Sequence, residues 1–386
     1  MSHPKRLVIV VNTAWMALKF RDRLIRTLRE HGYHVTVLAQ QDDSTDALRP
    51  LCDELISYKI DPRSTSVWTE LATIADIHRH VRRIRPLAVL AFTIKPNIYA
   101  CLVGRFQRVA VINNVTGLGS MHRLLGLKAW AMRTLYRTAL SRSFRVFFQN
   151  AVDMQYMIDQ QMVNPASASL LPGSGVDVDR YSLRAPRDPA SPLRFTMVAR
   201  LLKDKGVVEF ADAARLIKRS SPEVQFDLWG ILEASDARFV SAADIAGWEA
   251  EGILRFRGVA RDALEAFADA DCAVLPSYYP EGVPRTLLEA ASMGLPAITA
   301  DMPGCRDAVV HGQTGIVCPP RDAAALATGM RKIMDLGSDG RAEMGRQARR
   351  RVEAEFDECI VLKAYLSNIG LVEAVRHRQE AVADRG

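Results

Sequence analysis

Short apolar runs alternate with helix-like segments along this chain, and this alternation limits its possible folds more than any other feature. In the first half, Leu7–Val11, His34–Ala39 and Val89–Phe92 are predicted to be buried strands, and Phe20–Glu30 and Tyr99–Phe106 are predicted to be helices. Strands that alternate with helices are typical of a parallel sheet covered by helices on both faces. The pattern therefore predicts a Rossmann-like, doubly wound α/β domain.

The second half of the chain repeats this alternation of predicted strands and helices. The predicted strands are Arg194–Val198, Gln225–Trp229, Leu254–Arg257, Ala273–Leu275 and Ala297–Thr299, and the predicted helices are Val207–Arg219, Arg261–Ala268, Arg285–Met293 and Ala323–Met334. A chain of 386 residues suits two domains better than one core. Pro172–Pro192 is rich in Pro, Gly, Ser, Asp and Arg, which favours a linker between the two.

The stretch Ser277–Leu295 is the strongest candidate for a functional site. It follows the apolar run Cys272–Pro276 and leads into a helix, with Pro284 at or near its first turn. In open α/β sheets, such strand-to-helix loops lie at the carboxyl edge, where nucleotides bind. Two carboxylates, Glu281 and Glu289, flank this turn, and they are suited to accept hydrogen bonds from sugar hydroxyls and from a ribose diol.

A second element precedes this stretch in the chain. Arg200 ends a predicted strand, and Lys205 and Gly206 open the following helix. Both cations and the helix N-terminus can therefore point at one anion such as a diphosphate.

Together these motifs resemble the donor-site signature of the retaining GT-B glycosyltransferases of family four. The carboxylate pair has seven residues between its members, and Pro303–Cys305 and Gly312–Gly315 follow it. The resemblance implies two Rossmann-like domains that face an interdomain cleft. These are an acceptor-binding domain at residues 1–175 and a nucleotide-sugar-binding domain at residues 190–355, with helices of residues 356–386 crossing back to the first.

The resemblance also implies residue roles. Glu281, Arg200 and Lys205 are the predicted catalytic residues. The predicted donor-binding set is Arg200, Lys205, Glu281, Gly282, Val283, Pro284, Arg285, Thr286 and Glu289. One departure is that Gly282–Arg285 replaces the Gly-Phe-Gly-like run usual in the family, so Arg285 is a candidate for an added phosphate or sugar contact or for altered donor choice.

The runs Phe92–Ala100 and Ile112–Ser120 resemble the family-four subgroup that adds a sugar to a polyprenyl-diphosphate-linked saccharide, typified by diacetylbacillosaminyl-diphospho-undecaprenol N-acetylgalactosaminyltransferases. Both runs are predicted to form polar loops at a strand end. The predicted acceptor-binding residues are Lys95, Asn97, Asn114, Thr116, Gly117, Gly119 and Arg123. For Lys95, a plain loop at a strand end is the alternative.

The segment Arg123–Arg145 is basic, contains no acid and has interleaved aromatic residues. It can lie on an anionic membrane surface, or it can be an ordinary helix whose cations face water. The formal charge of +7 alone does not choose among partners, and no nucleic-acid-binding motif accompanies it.

The sequence thus predicts a bacterial hexosyltransferase in cell-surface glycan assembly, peripheral on the cytoplasmic face of the membrane. It would use a UDP-sugar donor, an N-acetylhexosamine by resemblance, and a lipid-linked saccharide acceptor. No cofactor and no metal are expected, and His78 and His80 are not read as metal ligands. The alternatives are a transferase of the same fold with a soluble acceptor and a non-catalytic module that binds nucleotide sugars or RNA.

Overall fold

The computed structural model describes residues 5–61, 66–119, 126–185, 187–233 and 236–383, with 127–129 and 380–383 described by their backbone only. The chain divides into two compact units. The first comprises Met1–Leu171 and Val361–Gly386, and the second comprises Pro172–Ile360.

The first unit is built around a parallel sheet. Its strands are β1 (Arg6–Thr13), β2 (His34–Gln40), β3 (Glu54–Ser57), β4 (Ala88–Phe92), β5 (Ala110–Val115), β6 (Arg145–Phe148) and β7 (Ala168–Leu170). They pair in the order β3-β2-β1-β4-β5-β6-β7. Its helices are α1 (Ala14–Glu30), α2 (Thr45–Leu48), α3 (Val67–Ile84), α4 (Ile94–Gln107), α5 (Gly126–Leu140) and α6 (Ala151–Asp159).

The second unit repeats the design with the strand order β10-β9-β8-β11-β12-β13. Its strands are β8 (Arg194–Val198), β9 (Gln225–Trp229), β10 (Arg255–Phe256), β11 (Cys272–Leu275), β12 (Ala297–Ala300) and β13 (Gly315–Cys318). Its helices are α7 (Val207–Lys218), α8 (Ala242–Ala250), α9 (Ala263–Phe267), α10 (Arg285–Ser292), α11 (Cys305–Ala308), α12 (Ala323–Asp335) and α13 (Gly337–Glu355). The last helix, α14 (Glu358–Ala383), begins in this unit and continues into the first.

All strand pairs in both sheets are parallel, which confirms the predicted doubly wound α/β class. In each sheet the strand order reverses once, between β1 and β4 and between β8 and β11. Loops diverge at such a point and leave a crevice at the carboxyl edge, where α/β proteins bind ligands.

Two predictions about the path of the chain need correction. A linker is predicted at Pro172–Pro192, but Val176 and Tyr181 are buried in the core of the second unit. The sequence also predicts Asn113 and Asn114 to lie in a loop, but both lie in β5 and are fully buried. In each case the neighbouring residues in the sequence are polar, although the residue itself is packed in the core.

The last helix, α14, packs on the first unit through one apolar stripe. Val361, Leu362, Tyr365, Ile369 and Val372 are buried in the same core as β1, β2 and β4. Their spacing of three and four residues places them on one helix face. The Tyr365 hydroxyl accepts a hydrogen bond from Asn114 Nδ2 at 2.8 Å. This contact gives a polar anchor to an otherwise apolar interface.

We expect Tyr365→Phe to destabilise the first unit by about 1–3 kcal/mol, because it leaves the buried Asn114 amide without this acceptor. The shift in the midpoint of urea unfolding measures the effect. Tyr136→Phe is the matched control, since Tyr136 is 1% exposed in the same unit and its hydroxyl has no hydrogen-bond partner within the described ranges. Equal shifts for the two variants would contradict the prediction.

Candidate functional site

The predicted donor residues of the second unit lie in the loops that follow β8 and β11. These two strands are neighbours at the point where the strand order reverses. Arg200 and Lys205 belong to the loop after β8, and Glu281 belongs to the loop after β11. Two sequence motifs that are distant in the chain therefore meet at one crevice.

Lys205 and Glu281 form the central contact of this crevice. Lys205 Nζ donates to Glu281 Oε2 at 2.5 Å, and the side chains are 10% and 18% exposed. Glu281 Oε1 accepts a hydrogen bond from Ser277 Oγ at 2.8 Å. Lys205 Nζ also lies 5.2 Å from the centroid of the Tyr279 ring. A lysine and a carboxylate at the carboxyl edge of a parallel sheet can bind the phosphate and hydroxyl groups of one ligand.

A glycine allows the Lys205 loop to approach β11. Gly206 has a φ of +80° and ends the short 3₁₀ turn Lys203–Lys205, from which α7 continues. A Cβ atom at this position would lie 2.4 Å from the carbonyl oxygen of Pro276. Only glycine combines this backbone conformation with so close an approach.

Glu289 lies one helical turn inside α10 and is buried. Its Oε1 accepts a hydrogen bond from Arg285 Nε at 3.0 Å. Burial, together with the negative charge of the nearby Glu289 carboxylate, raises the pKa of Tyr181 above its usual value. A carboxylate has about four acceptor positions, so acceptor capacity remains for a diol. The arrangement shows Arg285 bound to a carboxylate within its own helix.

The loop between β11 and Glu281 is held by a further cluster. The Arg321 guanidinium lies 4.5 Å from the centroid of the Tyr278 ring. Burial raises the pKa of Tyr278 and the pKa of Glu209, and the two side chains interact electrostatically. Cys305 lies under the same loop, with its Sγ atom 3.8 Å from the Ser277 carbonyl oxygen, and burial raises its pKa to about 12. A thiol with so high a pKa is inert at neutral pH.

Arg200 is exposed just after β8, and no side-chain partner is found for it within the described residues. The loop that carries it is tied to β9, because Ala199 N–H donates to the Trp229 carbonyl oxygen at 3.1 Å. The Trp229 indole is buried, and Arg257 lies 5.5 Å from its ring centroid. The Arg200 side chain is therefore open to solvent, and its predicted contact with a diphosphate stays a prediction.

The remaining donor candidates surround the start of α10. Pro284 is its N-cap, so the predicted start of this helix is confirmed, and Thr286 is half-buried in its first turn. Gly282 and Val283 are buried in the loop before it. The first backbone N–H groups of a helix have no acceptor within the helix, which makes this end suited to an oxygen-rich ligand.

In the first unit, Lys95 lies in α4 rather than in the predicted loop. Its Nζ atom donates to Glu70 Oε1 at 2.6 Å and to the Asp61 carbonyl oxygen at 2.7 Å. Lys95 is thus held by a carboxylate in this structure, and its predicted contact with a phosphate stays a prediction.

Asn97 and Asn114 are 1% and 0% exposed, which the sequence did not indicate. Asn97 Nδ2 donates to the Asn114 carbonyl oxygen at 2.8 Å, and Asn113 Nδ2 donates to Asn97 Oδ1 at 3.1 Å. These amides bind one another across α4 and β5. These hydrogen bonds tie α4 to β5, and the predicted role of Asn97 and Asn114 in acceptor binding stays a prediction.

The other acceptor candidates follow β5. Thr116 and Gly117 are half-buried, and Gly119 is buried. Arg123 lies outside the described residues.

Thr93 and Asn12 are site candidates that the sequence reading missed. Thr93 has a φ of +72°, which is unusual for a β-branched residue, and its Oγ1 atom donates to Asn12 Oδ1 at 3.1 Å. The bond joins the ends of β4 and β1, where the order of the first sheet reverses. Strained backbone of this kind is concentrated at functional sites. Thr93 lies in the run Phe92–Ala100 and Asn12 directly follows the predicted strand Leu7–Val11, but nothing in the sequence indicates a positive φ at a threonine.

Two family models match the chain in succession. The model described as "Glycosyl transferase 4-like domain" matches residues 19–174, and the model described as "Glycosyl transferases group 1" matches residues 183–351. Together they cover both units.

Curated relatives match at two levels of coverage. Glycogen synthase of Mycobacterium tuberculosis is 32% identical over 192 residues, which is 48% of this chain and 44% of that protein, so the match spans less than half of that relative. The N,N'-diacetylbacillosaminyl-diphospho-undecaprenol alpha-1,3-N-acetylgalactosaminyltransferase of Campylobacter jejuni is 23% identical over 368 residues, which is 90% of this chain and 93% of that protein.

Solved structures show the same fold over nearly the whole chain. Anabaena HepE, solved in complex with UDP and glucose, superposes with a TM-score of 0.78 at 16% identity and covers 95% of this chain and 100% of that one. A glycosyltransferase from Rickettsia africae gives a TM-score of 0.77 at 15% identity and covers 96% and 99%.

Two parallel sheets of this order, with these structural neighbours, define the GT-B fold. The two family models, which match residues 19–174 and 183–351, place the chain further: it belongs to the glycosyltransferases of family four. The resemblance read from the donor motifs is thereby confirmed.

We expect Gly206→Ala to lower the melting temperature and to weaken the Lys205 site, because the new Cβ atom meets the Pro276 carbonyl oxygen. Gly312→Ala is the matched control, since Gly312 has a φ of +77° and open space around it. The free energy of unfolding of the control should fall by only about 1–2 kcal/mol, because alanine is strained in a left-handed backbone conformation. The free energy of unfolding of Gly206→Ala should fall by more. Thermal unfolding of the two variants measures the difference, and an equal loss would contradict it.

Proposed function

We propose that the protein transfers a sugar, an N-acetylhexosamine, from a UDP-sugar to a polyprenyl-diphosphate-linked saccharide with retention of configuration. The observation that carries the donor half is the pairing of Lys205 with Glu281 at the reversal point of the second sheet. It places a cation, a carboxylate and a helix N-terminus at the edge where nucleotides bind.

In the proposed complex, Lys205 and Arg200 bind the diphosphate. Their positive charge, with the N-terminus of α10, stabilises the negative charge that develops as the diphosphate leaves. A diphosphate can bind the Lys205 ammonium beside Glu281 because the ammonium has three donors. Glu281 then accepts from sugar hydroxyls, together with the backbone amides of Val283–Thr286.

Glu289 accepts the ribose hydroxyls in this proposal. Arg285 holds its carboxylate in one orientation, so less conformational freedom is lost when the diol binds. A carboxylate already held in position favours a ligand with two hydroxyls at a fixed separation.

Retention without a protein nucleophile implies attack from the face that the diphosphate leaves. The departing phosphate oxygen then takes the proton of the acceptor hydroxyl, so one glycosidic bond forms as the bond to phosphate breaks. The product anomer, read by the coupling constant of the anomeric proton in NMR, tests this step.

The acceptor is proposed from relatives. The Campylobacter jejuni relative is named for a diphospho-undecaprenol-linked acceptor. A relative from Escherichia coli, 24% identical over 293 residues, is a UDP-Gal:alpha-D-GlcNAc-diphosphoundecaprenol alpha-1,3-galactosyltransferase. A soluble acceptor is the second candidate, because the glycogen synthase match has the higher identity over its shorter length.

We expect wild-type protein to release UDP from one sugar in a panel of UDP-sugars in the presence of a short polyprenyl-diphosphate saccharide. Lys205→Ala and Glu289→Ala should each lower kcat/KM by about 10²-fold or more, because each removes a contact to the donor. Lys203→Ala is the control, since Lys203 lies in the same turn but is exposed and its Nζ contacts the Ala237 carbonyl oxygen. Full activity in the Lys205 and Glu289 variants would overturn the donor-site proposal.

A peripheral site on the inner face of the cytoplasmic membrane is also proposed. Within the ranges that the structure describes, no helix is long and apolar enough to cross a membrane. Helix α5 buries Tyr136, Ala139 and Leu140 and leaves Trp130 64% exposed beside exposed arginines. An exposed tryptophan with basic neighbours favours contact with anionic lipid headgroups.

We expect wild-type protein to float with phosphatidylglycerol vesicles and Trp130→Ala to float less. Trp68→Ala is the matched control, because Trp68 is 81% exposed on α3 of the same unit. No flotation of the wild type, or equal flotation of both variants, would remove α5 from the proposal.

A further inference from the structure

A cavity lies in the first unit, at the amino edge of its sheet. It has a volume of about 690 Å³ and opens where α3 and α4 end and β4 and β5 begin. The carboxyl ends of the strands, with Thr93 and Asn12, are at the opposite edge of this sheet. Small-molecule sites in proteins have volumes of roughly 300–1,000 Å³, so the size suits a compact ligand.

The charged side chains that line the cavity are all positive. Its lining includes Arg82, Arg85, Arg108 and Arg376, and no described lining residue is a carboxylate. Arg82, Arg85 and Arg108 make no ion pair with any described acid, whereas their neighbour Arg83 pairs with Glu54. The guanidinium groups of Arg82, Arg85 and Arg108 around one cavity repel each other, and a bound anion would relieve that repulsion.

Helix ends do not fully explain these arginines. Cations near a helix C-terminus balance its dipole, and this accounts for Arg82. Arg376 lies more than one turn before the end of α14 at Ala383. Arg85 and Arg108 both have a left-handed backbone, with φ of +51° and +56°, at a cap position where glycine or asparagine is usual. The guanidinium groups are thus kept at the cavity despite an unfavourable backbone conformation.

The rest of the lining is apolar and aromatic. Leu87 and Val372 are buried in it, and Phe144 adjoins them. Phe106 is 79% exposed and packs edge-on against the His78 ring, with the ring centroids 5.2 Å apart. An exposed aromatic ring beside arginines offers a stacking surface next to a phosphate-binding group.

We propose that this cavity binds a small phosphorylated molecule that carries an apolar or aromatic group, through residues distinct from the donor site. Arginine forks bind two phosphate oxygens at once, which gives orientation as well as charge. The same chemistry is presented by a free phosphate ester and by the headgroup of a phospholipid, and the test separates these sources.

The test uses the full chain with two probes, naphthyl phosphate and vesicles of phosphatidylcholine with or without phosphatidylglycerol. The variant Arg85→Asn/Arg108→Asn removes two charges and keeps residues that suit a left-handed cap. Its control, Arg219→Asn/Arg261→Asn, lowers the formal charge of +7 by the same two units on exposed residues of the second unit. Naphthyl phosphate binding is measured by equilibrium dialysis, and vesicle binding by flotation.

Wild type and control are expected to bind one probe, and the cavity variant is expected to bind it at least about tenfold more weakly while unfolding at the same or a higher temperature. If the cavity variant binds naphthyl phosphate more weakly, the ligand is a free phosphate ester. If it binds only phosphatidylglycerol vesicles more weakly, the ligand is a lipid headgroup. Binding of neither probe by the wild type would overturn the proposal, as would equal binding by the cavity variant. Binding lost in Lys205→Ala but kept in the cavity variant would assign the probe to the donor site instead.

Discussion

The ion pair between Lys205 and Glu281 joins the ends of two neighbouring parallel strands in the second unit. A largely buried pair of this kind is favourable only when both charges have further partners. Ser277 donates to the carboxylate, and the Tyr279 ring lies near the ammonium. The close approach of Gly206 to Pro276 sets the distance between the two loops. The geometry of the candidate donor site thus follows from the packing of β8 against β11.

Much of this arrangement could be predicted from the sequence. The strands β1, β2, β4, β8 and β9 are short apolar runs, and runs of this kind mark buried parallel strands. The donor motifs were predictable because each lies within a short stretch of the chain. Glu281 lies in the loop before α10 and Glu289 lies in α10, and Lys205 is followed directly by Gly206. Family resemblance supplied the link between the two motifs, which lie far apart in the chain.

What the sequence could not supply is the environment that distant residues create. Asn97 lies in a polar run just after a strand, and Asn114 lies beside a glycine-bearing stretch, patterns that favour loops, yet they are buried in α4 and β5 and bind each other there. Tyr181 lies in a segment rich in Pro and Gly, but its side chain is buried in the core of the second unit. Hydrogen bonds satisfy these buried polar groups, and no local pattern reveals which partner does so.

The two sheets show that topology alone does not make a phosphate site. Both reverse their strand order once, but the chemistry at the two reversal points differs. In the first unit, α1 begins at Ala14 directly after β1, and a hydrogen bond between Thr93 and Asn12 bridges the strand ends. In the second unit, the loop between β8 and α7 brings Lys205 there. The bridge in the first unit joins two neutral side chains, with the Arg21 guanidinium 4.2 Å from the centroid of the Phe92 ring, whereas the second unit pairs a lysine with a carboxylate. The same topology thus carries different chemistry, and function depends on the loop residues rather than on the fold.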